Sequence, residues 1–178
     1  MSRAFSGERH IIYQYIDNFP KVKYILTGEG MKKKKRRGKA SPLFGPPLRC
    51  NDRLKEIITR HYFLSRYAEG AKPVAWVTSG FPVELLRALG YHTVYPENHA
   101  AICSARDMAA DLSDVAEAEG YSRDLCSYAR CHIGSVMDRR KAPQGGLPRP
   151  DLLVASNNIC GTVVKWYQAL AQQLNVPL

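Results

Sequence analysis

The sequence predicts an α/β fold: a Rossmann-like, mostly parallel sheet with helices on both faces. Three observations lead there. Short apolar or alternating runs, VAWVTSG, YHTVYP and LLVAS, recur between proline and glycine breakers and read as strands. Longer stretches between them carry apolar residues at helical spacing, so strands and helices alternate along the chain. With 178 residues and 45% hydrophobic content, the chain is long enough to bury one domain core.

The elements follow in order. Residues 1–50 show poor periodicity and read as an irregular segment, with a basic, breaker-rich linker at 27–49. Residues 51–178 form the expected Rossmann-like domain. Asn51 or Asp52 caps a helix carrying Leu54, Ile57, Ile58, His61 and Tyr62, which ends near Gly70. The strand VAWVTSG follows Pro73. Phe81 and Pro82 open a helix through Leu85, Leu86 and Leu89 to a Gly90 stop. After the strand YHTVYP, the Pro-Glu-Asn sequence at 96–98 reads as a turn. A single helix is expected over 105–119, with Met108, Leu112 and Val115 on one face. The next runs from about Cys126 to Met137, KAPQGGLPRP is a loop, LLVAS is a strand, and the last helix covers 161–174. The chain then stops at NVPL, where such a fold would launch another strand. The sheet is therefore expected to be the front part of a longer protein, truncated at the C-terminus.

Charge divides the chain unevenly. Residues 1–70 hold 16 basic and 6 acidic side chains, whereas 71–178 hold 10 of each. The excess comes mainly from KKKKRRGK at 32–39, and a solvated loop is the expected reading of that run. Because the domain carrying the chemistry is electrically balanced, nucleic acid is not an expected partner. No run of 18 apolar residues occurs, and MSRAFSGERH lacks the apolar stretch of a secretion signal. The expectation is a cytoplasmic protein without a membrane span, in which Cys50, Cys103, Cys126, Cys131 and Cys160 stay reduced.

Cys103 and Cys126 flank one helix and a turn, and loops leaving parallel strands gather at one sheet edge. There is no C-x-x-C pair, so a zinc ribbon or ferredoxin-type cluster is unsupported. Spacing alone leaves a free buried cysteine as the commoner fate. The blocks PVELLRALGYHTVYPENHAAICSAR, GYSRDLCSYARCHIG and DLLVASNNICGTVVKWYQALA carry more. From about Val74 onward they resemble the 2-hydroxyacyl-CoA dehydratase and benzoyl-CoA reductase family.

That resemblance implies an iron–sulfur subunit built on Rossmann-like domains. In it, three cysteines hold a [4Fe–4S] cluster with one iron open to a substrate thioester. Cys103 and Cys126 would occupy the first two ligand positions. The third would lie outside this chain, with Cys160 an alternative. The implied partners are an acyl-CoA substrate, a homologous second subunit and a separate ATP-dependent iron–sulfur activator. The implied reaction is radical, reductive elimination of water from a 2-hydroxyacyl-CoA, or ring reduction in a benzoyl-CoA reductase-type subunit.

Beside the ligands, Tyr128 and Arg130 flank the cluster candidate and can donate hydrogen bonds to it or to substrate. Glu97 and His99 follow a strand, where a proton-handling group would be placed. Cys131, more than a turn beyond Cys126, reads as packing. Asn157 and Asn158 read as helix caps, and Trp166 and Tyr167 as core or subunit interface. A non-catalytic α/β fragment or assembly subunit is the rival reading, because a complete set of three ligands is missing.

Overall fold

The computed structural model describes Leu48 and residues 50–178. Apart from Leu48 and Cys50, the irregular segment 1–50, its linker 27–49 and the basic run 32–39 lie outside the described residues. The chain divides into two compact units, Met1–His61 and Tyr62–Leu178. Helix α1 (Asn51–Ser65) spans the boundary. In its first turns Arg53 pairs with Glu56 at 3.1 Å, and Leu54, Ile57 and Ile58 stay exposed.

In the second unit the order is β1 (Val74–Val77), α2 (Val83–Ala88), β2 (His92–Val94), α3 (Pro96–Ala105), α4 (Ala109–Ala118), α5 (Ser127–Met137), β3 (Leu152–Val154) and α6 (Gly161–Leu174). Two short 3-10 turns, Arg139–Lys141 and Pro143–Gly145, lie between α5 and β3. All three strands are parallel, in the spatial order β2-β1-β3. Val74 pairs with His92 and Ala75 with Leu152. The expected parallel α/β sheet is therefore present.

Alternation along each short strand sorts its side chains onto two faces. Val74, Trp76, Val94 and Leu153 join a core with Ala116 of α4, Ala129 and Ile133 of α5, and Val163, Trp166, Tyr167 and Leu170 of α6. Ala75, Val77, Leu152 and Val154 pack on the other face with Leu86 of α2. With helices on both faces, β1 is buried along its whole length, which explains why VAWV is apolar without alternation. Asp151 closes the amino end of the sheet, its Oδ2 accepting from the Val74 N–H at 2.7 Å.

The structure corrects one stretch of the sequence reading. Residues 96–98 do not form a turn, and 105–119 is not one helix. Pro96 occupies the first position of α3, where its missing N–H is no loss. The helix runs to Ala105 and breaks at Asp107, whose backbone is left-handed (φ 57°). The described residues therefore carry one more helix than the sequence suggests for them.

Helices α4 and α5 cross very closely. A Cβ built on Gly134 of α5 would stand 1.7 Å from the Leu112 carbonyl oxygen of α4. Only glycine admits that approach.

Candidate functional site

The carboxyl ends of the three strands meet in a hydrogen-bonded set of polar groups. Thr78 and Ser79 leave β1, Glu97 opens α3 just beyond β2, and Ser156 follows β3. Glu97 Oε2 accepts from the Ser79 N–H at 2.8 Å and from the Ser79 hydroxyl at 2.6 Å. Thr78 Oγ1 accepts from the Ser156 N–H at 2.9 Å, and the Ser156 hydroxyl donates to Asn158 Oδ1 at 2.7 Å. This is the edge at which an open parallel sheet presents a site. The sequence singles out Glu97 but gives Ser79 no role. The signal that could have found it is a pair of hydroxyls directly after a buried strand.

The other predicted residues divide between the interior and the surface. His99 and Cys103 follow Glu97 along α3 and are buried. Cys103 Sγ lies 3.9 Å from His99 Nδ1. Cys103 shares a buried cluster with Ala100, Leu112 and Cys131. The neighbouring Cys131 thiol and burial together push the Cys103 thiol up, while Cys103 draws Cys131 down. Burial lowers His99 to about 4, outweighing the Pro143 carbonyl that acts in the opposite direction. His99 is thus neutral at pH 7. It packs edge-on to His132, which also meets the rings of Trp76 and Trp166. Burial likewise lowers His132 well below its ordinary value, and neither of its ring nitrogens has a hydrogen-bond partner among the described residues.

Cys126 is exposed at the N-cap of α5, and Cys160 is exposed at the N-cap of α6. Arg130 holds the loop that leads into Cys126: its Nε donates to the Leu125 carbonyl at 3.1 Å and its Nη1 pairs with Glu117. Arg123 also binds Glu117, at 2.7 Å, and its guanidinium is the first cause of the lowered Glu117 carboxyl. A cavity of about 400 Å³ opens between α3, α4 and α5, lined by Ala100, Ser104, Ser113, Tyr128, Arg130 and Cys131 among others. Tyr128 is half exposed at this cavity.

A cluster of four irons needs several thiolates aimed at one point. Among the described residues, no three His, Cys, Asp or Glu side chains converge closely enough to hold a metal ion. Cys103 is enclosed by α3, α4 and α5. Cys126 and Cys160 are exposed at the N-caps of α5 and α6, and Cys50 is exposed directly before α1. The described residues do not make a three-thiol cradle by themselves.

Comparison with known proteins sets this architecture among its relatives. The chain is similar to the (R)-2-hydroxyisocaproyl-CoA dehydratase alpha subunit of Clostridioides difficile, with 41% identity over 110 residues, covering 62% of this chain and 27% of the relative. It is 38% identical over 117 residues to the lactoyl-CoA dehydratase alpha subunit of Anaerotignum propionicum, covering 58% and 28%. A benzoyl-CoA reductase subunit of Thauera aromatica is 29% identical over 126 residues, covering 69% and 29%. The chain thus spans little more than a quarter of the length of these relatives. The family profile described as 2-hydroxyglutaryl-CoA dehydratase, D-component, matches residues 78–178. Because that match covers more than half of the chain, the protein belongs to the 2-hydroxyglutaryl-CoA dehydratase D-component family.

Proposed function

We propose that this chain is part of the iron–sulfur subunit of a 2-hydroxyacyl-CoA dehydratase-type enzyme, which eliminates water reductively from an (R)-2-hydroxyacyl-CoA by radical chemistry. The observation that carries the reading is a coincidence of boundaries. The family match begins at residue 78, the first position beyond β1, and so spans the strand-end groups Thr78, Ser79, Glu97 and Ser156 together with Cys126 and Cys160. Two dehydratase subunits, at 41% and 38%, exceed the reductase subunit at 29%, although the (R)-2-hydroxyglutaryl-CoA dehydratase alpha subunit of Acidaminococcus fermentans stands at 24%; elimination is preferred on the two higher identities.

In this reading Cys126 and Cys160 contribute thiolates to a [4Fe–4S] cluster, and a further ligand comes from outside the described residues. Arg130 is a positioning residue, fixing the backbone at Leu125 directly before Cys126. Glu97, anchored by Ser79, handles a proton at the sheet edge. Tyr128 lines the cavity between α3, α4 and α5, where it can meet substrate. His99 and Cys103, enclosed in the core, support α3 from behind. The partners are a homologous second subunit, an ATP-dependent iron–sulfur activator and the acyl-CoA substrate, in the cytoplasm. Among the described residues no helix is long and apolar enough to cross a membrane.

The test is a chimaera of the Clostridioides difficile alpha subunit in which residues 78–178 of this chain replace the matching stretch. Assembled anaerobically with its partner and activator, it is expected to form 2-enoyl-CoA. Glu97→Gln in that chimaera is expected to lower turnover about a hundredfold, the usual scale of a lost proton-transfer group. A folded, assembled chimaera without dehydration activity overturns the proposal and leaves the fragment as a non-catalytic assembly element.

A further inference from the structure

We propose that Cys131 and Cys103 form an oxidisable thiol pair, in which Cys131 meets a peroxide through the cavity between α3, α4 and α5 and Cys103 resolves it to a disulfide.

Two kinds of observation support the assignment. The first is the pairing. Cys103 and Cys131 lie on different helices, α3 and α5, yet share one buried cluster with Ala100 and Leu112. Both thiols contact the same turn of α3: Cys103 Sγ at 3.9 Å from His99 Nδ1, and Cys131 Sγ at 4.0 Å from the Ala100 carbonyl. The second is access. Cys131 lines the cavity of about 400 Å³, whereas Cys103 does not. The cavity is shaped by small side chains, with Ala100, Ala109, Ala110, Ser104, Ser113 and Ser127 on its walls. A small polar oxidant can therefore reach Cys131, and the thiol behind it is Cys103. This division of labour is that of an attacked and a resolving cysteine.

The chemistry balances with hydrogen peroxide as oxidant. The Cys131 thiolate displaces hydroxide from the peroxide O–O bond and becomes a sulfenic acid. The Cys103 thiol then attacks that sulfur, forming the S–S bond and releasing water. Overall, two thiols lose two hydrogens and one peroxide becomes two waters. The bond ties α3, whose first turn carries Glu97, to α5, whose N-cap is Cys126. Oxidation would thus lock together the two helices that position candidate site residues.

The experiment uses the whole chain, reduced and iron-free, treated with hydrogen peroxide under native conditions. It is then alkylated in denaturant and digested with trypsin without reduction. Cleavage after Arg123, Arg130 and Arg139 separates Cys126 (124–130) from Cys131 (131–139). The expected product links residues 131–139 to the peptide carrying Cys103. In Cys103→Ser, dimedone is expected to trap a sulfenic acid on Cys131 and no such link forms. In Cys131→Ser, Cys103 is expected to stay alkylatable. A urea-unfolded control is expected to lose the preference. Selective linkage through Cys126 or Cys160, or a Cys131 that remains fully alkylatable after all exposed thiols have reacted, overturns the proposal. So does a native pattern identical to that of the unfolded control.

Discussion

Substituting Gly134 with alanine should be among the most damaging single-methyl changes in this chain. Its magnitude can be worked from one distance. The added Cβ would stand 1.7 Å from the Leu112 carbonyl oxygen, where ordinary contact begins at 3.4 Å. Helices α4 and α5 would have to separate by about 1.7 Å, because the obstacle is backbone and no rotamer can relieve it. Such overpacking costs about 3 kcal/mol, at the upper end of the usual range. Alanine returns about 1 kcal/mol through its higher helix propensity. The net loss is about 2 kcal/mol, which at a urea slope of about 2 kcal/mol/M lowers the midpoint by about 1 M. Gly161→Ala is the matched control: it adds the same methyl in a helix where no atom lies within 4 Å. Urea unfolding followed by circular dichroism reads both variants. A Gly134→Ala midpoint equal to that of Gly161→Ala would refute the close crossing of α4 and α5.

Other outcomes follow from the same structure. Burial holds His99 near 4 against an ordinary 6.5, so the unfolded chain binds the extra proton first. Stability should therefore be fully present above pH 6.5 and fall as pH drops toward 4, by up to about 3 kcal/mol for this group. His132, fully buried and also lowered, adds to the loss; the gap between urea midpoints at pH 7 and pH 4.5 should narrow in His99→Phe and keep the part due to His132, and an unchanged gap would refute the His99 contribution. Asp151→Ala leaves the buried Val74 N–H without its carboxylate partner and should cost about 1–3 kcal/mol in urea unfolding, with Asp151→Asn costing less. Ser79→Ala removes one of two bonds to an exposed carboxylate, so its urea midpoint should shift by less than about 1 kcal/mol equivalent. The same substitution in the chimaera should lower dehydration, because Glu97 loses the hydroxyl that aims it.

Much of the sheet is legible in the sequence because local composition and position agree. VAWV and LLV sit between breakers, and their lack of alternation matches strands covered by helices on both sides. Helix α3 is not legible because a proline followed by Glu-Asn forms turns as readily. The other use of Pro96, as the first residue of a helix, depends on what Tyr95 does before it. The Ser79–Glu97 bond spans 18 residues, the offset that pairs Val74 with His92. It continues the register of β1 and β2 past their ends, and no single-sequence pattern prints a register. The thiol pair is hidden for a similar reason. Cys131 reads as packing on its own helix, and only the crossing of α3 with α5 brings it to Cys103. Exposure also separates cysteines that spacing treats alike: Cys103, at an expected ligand position, is enclosed, whereas Cys160 is open at a helix N-cap.

The measurement that bears most directly on the central claim is anaerobic reconstitution with iron and sulfide, alone and with the homologous subunit. Bound iron and sulfide would be quantified and the reduced protein examined by electron paramagnetic resonance. The account predicts iron uptake that is lost in Cys126→Ala and in Cys160→Ala but retained in Cys103→Ala. Uptake lost in Cys103→Ala and indifferent to Cys160, or no uptake with or without the partner, would contradict it.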